Sequence, residues 1–228
     1  MHGWYYTFLL LKLLFMKGLF ISGSGTNVGK TFIAQHLIRL LASTRKVSVR
    51  KPVESDCENQ NGRLIPKDAL LLSKACNINE PINKVCRYKF EACSSAQMAS
   101  QALGLKLTLD DLVDACMADE FVVVEGAGGL LSPIAIQALN SDLIQVLDMP
   151  VVLVIKDVLG AVNQALLSIN AAQRYGLNIS MLVLNQIQPN LLKNAQEIAQ
   201  YTDIDISVFN QDDLAAFESQ VEKILLVI

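Results

Sequence analysis

Apolar positions along this chain follow two rhythms, short unbroken runs and longer stretches in which apolar residues return every three or four positions. GLFIS precedes a helical stretch from Gly29 to Leu41, and VSVR precedes one from Pro66 to Lys74. EFVVVE follows, then PVVLVI with a helix from Gly160 to Tyr175, and ISMLVLN with a helix from Pro189 to Tyr201. IDISVF reads as a last strand and Asp212 to Ile228 as a closing helix, whereas Ser55 to Arg63 reads as an irregular stretch. Strands alternating with helices predict an α/β, doubly wound, mostly parallel sheet with helices on both faces. Val122 to Val124 and Val151 to Ile155 are continuously apolar and rich in β-branched residues, as central strands buried on both sides must be. In such sheets ligands collect beyond the carboxyl ends of the strands, so the residues that follow each run are the candidates for chemistry.

Composition narrows the class. A chain of 228 residues with 52% hydrophobic content suits one domain, expected over residues 16–228. A net charge of -3 gives no diffuse positive field, which argues against nucleic acid and membrane partners. Cys57, Cys76, Cys86, Cys93 and Cys116 form no CxxC pair, so neither a disulfide framework nor a zinc site is expected and a reducing cytoplasm fits. His36 falls within the first predicted helix and is read as structural. Residues 1–15, MHGWYYTFLLLKLLF, lack a basic start, are interrupted by Lys12 and are short for a span of about 20 apolar residues. They are expected to be a misplaced start, with translation from Met16, or a disordered tail.

Gly23-Ser24-Gly25-Thr26-Asn27-Val28-Gly29-Lys30-Thr31 lies between a strand and a helix, the context that a phosphate-binding loop requires. Its backbone amides and the helix N-terminus attract phosphate oxygens, Lys30 reaches the terminal phosphates, and the Thr31 hydroxyl suits Mg²⁺. The usual first glycine is Ser24, with Gly23 one place earlier. Lys51 closes the second strand and points toward the same phosphates, or is an ordinary exposed lysine. Glu125 closes EFVVVE before Gly126-Ala127-Gly128-Gly129, where a hard cation bridging phosphates wants a carboxylate. Asp68 is either a second such ligand or a first-turn acid favoured by the helix dipole. Asn185 closes ISMLVLN, where an amide pairs with a base edge or serves as a turn residue.

With these motifs in view, the sequence from about Gly18 to Gln186 resembles the dethiobiotin synthetase family. GSGTNVGKT stands against GTDTxVGKT, KPVES against KPVxSG, KDAL against xDAL, LGAVNQ against LGxxNH, and VEGAGG is unchanged. The resemblance implies a P-loop fold, a homodimer with sites at the interface, ATP as co-substrate with Mg²⁺, and conversion of 7,8-diaminononanoate and CO₂ to dethiobiotin. It implies ATP binding by Asn27, Val28, Gly29, Lys30, Thr31, Phe32, Asp68, Glu125, Gly126, Ala127, Gly128, Asn185 and Gln186. Thr31, Asp68 and Glu125 would hold the metal, and Lys30 and Lys51 would be catalytic. Thr26, Lys30, Lys51 and Ser55 would meet the substrate, with Leu159, Gly160, Ala161, Val162 and Asn163 of the partner subunit. The sequence departs from the family pattern at Gly25 (aspartate in the family), Asp56 (glycine), Gln164 (histidine) and around Ala96, where prolines are missing, and ISVFNQDDL has no clear family counterpart. Alternatives are a related P-loop ligase acting on another substrate and a nucleotide-binding module without turnover. A partitioning-type ATPase switch fits less well, because Ser24 to Asn27 lacks that class's additional lysine.

Overall fold

The computed structural model describes residues 16–225; the amino-terminal segment 1–15 and the last residues of the expected closing helix lie outside the described residues. In chain order the strands are β1 (Gly18–Gly23), β2 (Val47–Arg50), β3 (Val53–Glu54), β4 (Glu58–Gln60), β5 (Arg63–Ile65), β6 (Tyr88–Lys89), β7 (Phe121–Glu125), β8 (Pro133–Ala135), β9 (Ala138–Leu139), β10 (Val151–Lys156), β11 (Ile179–Gln186) and β12 (Ile206–Asn210). The helices are α1 (Lys30–Ala42), α2 (Lys67–Ala75), α3 (Ile82–Val85), α4 (Ala96–Ala102), α5 (Leu109–Cys116), α6 (Asn140–Leu147), α7 (Ala161–Arg174), α8 (Asn194–Ile198) and α9 (Leu214–Leu225).

Six strands form one parallel sheet in the order β12-β11-β10-β1-β7-β2. β1 lies inside it, with Phe20 opposite Val151 on one side and Val124 on the other. Because side chains alternate across a strand, Leu19 and Ile21 pack with α1, α2 and α9, while Phe20 packs with α5 and α6 on the opposite face. Beneath α7 and α8, Leu153, Ile155, Leu182 and Leu184 complete the interior. The doubly wound architecture predicted from the alternation is the one observed.

Helix α1 buries Ile33, Ala34, Leu37, Ile38 and Leu41, the spacing of a single apolar stripe. His36 packs against Phe32 and Phe209, with ring centroids 5.0 Å away in both cases. Phe209, fully buried, also meets Phe32 at 5.1 Å and Phe217 at 4.9 Å, and so ties β12 to α1 and α9.

Several expectations are corrected. Residues 58–65 are not irregular but form the antiparallel β4–β5 hairpin, turned by Asn61 and Gly62 at φ 52° and 83°. Asn-Gly tolerates paired positive φ angles and therefore supplies this turn. The helix expected from Pro189 to Tyr201 shrinks to Asn194–Ile198; in the part that is lost, the side-chain amide of Asn190 bonds to Asp157 instead of lying along a helix surface. The closing helix begins at Leu214, after a 3₁₀ turn over Gln211–Asp213. The short helices α3 to α6 were not anticipated. For α5 the sign was present: Thr108 and Asp111 form a reciprocal capping box.

Phe209→Ala is expected to lower the unfolding free energy by about 3–5 kcal/mol, since it removes a fully buried ring with three aromatic neighbours. Urea denaturation followed by circular dichroism checks this, and a loss under 1 kcal/mol would contradict the packing described.

Candidate functional site

The carboxyl ends of β1, β2 and β7 bring Lys30, Thr31, Lys51, Asp68 and Glu125 into one polar cluster. Gly29 caps α1 at φ 92°, where a Cβ would lie 2.0 Å from the Asn185 side-chain nitrogen, so only glycine fits. Lys30 Nζ donates to the Gly25 carbonyl at 2.9 Å, which curls the loop around it. Thr31 Oγ1 donates to Glu125 Oε1 at 2.8 Å. Lys51 Nζ donates to the same oxygen at 2.5 Å, to Asp68 Oδ2 at 3.1 Å and to the Gly126 carbonyl at 3.4 Å.

Three elements fix these side chains. Glu54, buried on β3, accepts from the backbone amides of Asp68 and Ala69, both at 3.0 Å, and so anchors the start of α2 and aims Asp68. Arg50 is fully buried, pairs with both carboxylate oxygens of Glu80 and donates to the Met117 carbonyl, which fixes the end of β2 next to Lys51. Asn140 donates to the carbonyls of Ala127 and Gly129 at 2.6 and 2.8 Å, and thereby shapes the Gly126 to Gly129 turn. A Cβ at Gly129 would stand 3.0 Å from Gly25 Cα, and Leu130 N donates to the Gly23 carbonyl at 2.9 Å. Two glycine-rich loops therefore meet backbone to backbone. Glu54, Arg50 and Asn140 were absent from the sequence reading, although a glutamate inside KPVES was a visible sign.

The cluster sets its own protonation. Burial pushes Lys30 down to about 8, and the neighbouring Lys51 charge adds to the fall against the pull of Glu125 and Asp68. Burial also works to lower Lys51, but the charges of Glu125 and Asp68 and the hydrogen bond to Glu125 outweigh it, holding Lys51 above the ordinary lysine value. For Asp68, burial works upward, whereas Lys51, the Thr31 hydroxyl and Lys30 carry it below the ordinary aspartate value. Lys51 is thus a firmly protonated cation and Asp68 a firm anion. Oε2 of Glu125 is buried and has no hydrogen-bond partner. A buried carboxylate oxygen left open beside a threonine hydroxyl and a second carboxylate is a donor set that suits a hard cation. Among the described residues no group of three or more His, Cys, Asp or Glu is gathered to hold a metal by itself.

The other expected site residues are spread around this cluster. Thr26 and Asn27 are exposed on the loop, Val28 is buried, and Phe32 stands part-exposed at the start of α1. Ser55 is half-buried just after β3. Asp56, in place of the family glycine, adopts φ 61°, a left-handed backbone that aspartate tolerates better than most residues. Gly25 has open space around its Cβ direction, so glycine there is not a steric requirement. Asn185 donates to the Val28 carbonyl at 2.9 Å, and Gln186 donates to Asp157, so neither amide nitrogen points freely outward. Leu159, Gly160, Ala161 and Asn163 lie across a cavity of about 340 Å³ from Ser24, Gly25 and Val28 of the same chain, Val162 does not line it, and Leu159 is 89% exposed.

A family model described as an AAA domain matches residues 17–209. The ATP-dependent dethiobiotin synthetase BioD of Ruthia magnifica is 84% identical over 213 residues, covering 93% of this chain and 100% of that protein. The chain belongs to the dethiobiotin synthetase family. Another dethiobiotin synthetase, from Vesicomyosocius okutanii, is 79% identical across 92% of this chain and 98% of its own. Among solved structures, a ParA family ATPase from Chlorobium tepidum superposes with a TM-score of 0.51 at 14% identity, covering 92% of both chains. That likeness speaks for the fold alone. The glycine-rich loops described above are therefore those of a dethiobiotin synthetase family member. No helix among the described residues is long and apolar enough to cross a membrane.

Lys30→Met is expected to stabilise the ligand-free protein by roughly 1–3 kcal/mol at pH 7, because it removes a charge that folding desolvates. The sign follows from proton binding: between about 8 and the ordinary lysine value of 10.5 the unfolded chain holds this proton and the folded one does not, so wild-type stability gains as pH rises through that window. Urea melts of both proteins from pH 7 to 10 should converge, and a constant gap would contradict the desolvation.

Proposed function

We propose that this chain closes the ureido ring of dethiobiotin from 7,8-diaminononanoate, CO₂ and ATP at the cluster of Lys30, Thr31, Lys51, Asp68 and Glu125. The reading rests on family membership, and the observation that carries it is the convergence of two buried lysines and two carboxylates where β1, β2 and β7 end.

The chemistry follows from what these groups neutralise. One substrate amine adds to CO₂, loses a proton and becomes a carbamate anion. A carbamate oxygen then attacks the γ-phosphorus of ATP, ADP departs, and a carbamic-phosphoric anhydride remains. The second amine attacks its carbonyl carbon, the C–O bond to phosphate breaks, the new ureido nitrogen gives up its extra proton to the departing phosphate or to water, and inorganic phosphate leaves with the ring closed. Carbamate and triphosphate repel, so holding them together is the main task. Lys30 reaches the phosphates and the carbamate from the loop. Lys51, held protonated, acts as a fixed positive charge against the carbamate and the transferring phosphoryl group rather than as a base. Thr31, Asp68 and Glu125 are the residues that would hold Mg²⁺, which supplies charge neutralisation on the phosphates when bound. Backbone amides of Asn27 to Phe32 and of Gly126 to Gly128 face the nucleotide, and Asn185 and Gln186 form its base side. Thr26 and Ser55 lie toward the diamine.

We also propose a cytoplasmic homodimer, with Leu159 to Asn163 of the partner subunit meeting the substrate carboxylate. Support comes from Leu159 and Leu191, 89% and 100% exposed, which a facing subunit would cover.

Purified protein with MgATP, bicarbonate and diaminononanoate is expected to release ADP and dethiobiotin only when every component is present. ATP hydrolysis without product would overturn the assignment of substrate. Lys51→Ala should retain ATP affinity within about threefold and lower ring closure by at least ~100-fold, as for loss of a strong charge stabiliser; calorimetry and product analysis separate the two effects. ATP binding at pH 8 should take up about half a proton per site, because phosphate raises a Lys30 pKa that stands near 8 in the free protein. Calorimetry in buffers of different ionisation enthalpy measures this uptake, and release of protons would contradict it.

A further inference from the structure

Directly after β10 stands a buried carboxylate that the chemistry above does not use. Asp157 is 4% exposed and accepts hydrogen bonds from three neutral amide side chains. Gln186 Nε2 reaches Oδ2 at 3.3 Å, Asn194 Nδ2 reaches Oδ1 at 2.6 Å, and Asn190 Nδ2 donates to the Asp157 carbonyl at 3.0 Å and to Oδ2 at 3.5 Å. Asn194 Nδ2 also touches the Val158 carbonyl at 3.3 Å, and the Asp157 amide donates to the Asn185 carbonyl at 2.9 Å. Asn190 in turn accepts from the Leu192 amide at 2.9 Å, so the largely exposed run from Ile187 to Lys193 is tied at its middle, through Asn190, to this carboxylate.

The position of that run gives the contacts a purpose. Asn185 reaches the Val28 carbonyl under the phosphate loop, so a nucleotide whose phosphates lie over Gly29 to Thr31 would carry its base toward the end of β11. A run without helix or strand of its own cannot hold a base pocket in shape unless its backbone is pinned. A desolvated carboxylate is a strong acceptor, and leaving the amides around it unpaired would be unfavourable, so the pinning is firm. From this arrangement we infer that Asp157 is a positioning residue for nucleotide-base recognition, fixing the Asn185 to Asn194 segment against the base. It does not touch the reacting atoms. The inference rests on the proposed ATP site.

The test compares Asp157→Asn, Asn190→Ala and the swapped pair Asp157→Asn with Asn194→Asp, which restores one donor facing one acceptor. Asp157→Asn is expected to raise the KM for ATP by about 10-fold, as for loss of a buried charged acceptor, with kcat within about threefold. The preference for ATP over GTP in kcat/KM should fall by at least about fivefold, and Asn190→Ala, the milder change, should move both values the same way by less. The swapped pair should recover most of the loss. An unchanged KM and unchanged base preference in Asp157→Asn would overturn the inference, as would a fall in kcat and unfolding free energy without a change in KM. If Asp157→Asn does not fold, Asn190→Ala decides by the same two readouts. Failure of the functional reading is distinguishable, because wild-type protein would then form no dethiobiotin, while calorimetric ATP and GTP affinities of the same variants still answer the question about Asp157.

Discussion

Two lysines held out of water beside two carboxylates set the terms for the rest of this molecule. Lys51 is buried against Glu125, and Lys30, nearby, has lost most of its hydration. Burying charge is unfavourable unless partners are fixed at hydrogen-bond distance, so the fold must hold the ends of β1, β2 and β7 in strict register. That demand explains features away from the cluster. Glu54 anchors α2 so that Asp68 stays in reach, Arg50 and Glu80 brace the strand from which Lys51 projects, and Asn140 ties the turn after Glu125. Each of these is a polar side chain that the interior accepts through its hydrogen bonds, although Oδ1 of Asn140 is left without a partner.

The same balance separates two lysines that look alike in the sequence. Lys51 sits between anions and keeps its proton, whereas Lys30 faces Lys51 and backbone carbonyl and keeps it less firmly. In the proposed function, a triphosphate would supply the anion that Lys30 lacks. On that reading, the desolvated Lys30 charge is a form of preorganisation that stability bears and ligand binding would relieve.

The parts of this structure that could be read from the sequence are those with strong local signals. Apolar runs rich in β-branched residues mark β7 and β10, the loop from Gly23 to Thr31 marks the turn into α1, and the order of motifs points to the family. What escaped was of two kinds. The β4–β5 hairpin and α5 carried local signs, Asn61-Gly62 and Thr108-x-x-Asp111, that went unused. The shortened helix at Asn194 and the roles of Glu54, Arg50, Asn140 and Asp157 depend on partners far along the chain. Asn194 meets Asp157 across 37 positions and Arg50 meets Met117 across 67, and no window of neighbouring residues contains that information. Helical periodicity from Pro189 to Tyr201 was outweighed by tertiary hydrogen bonds, the usual fate of a weak propensity beside a buried charge.

The contact between the two glycine-rich loops has a mechanical side. With Gly129 against Gly25 and the Leu130 amide on the Gly23 carbonyl, there is no layer of flexible side chains between them to absorb a shift. A displacement of one loop is transmitted to the other at the scale of a single atomic contact, so the pair behaves as one rigid wall.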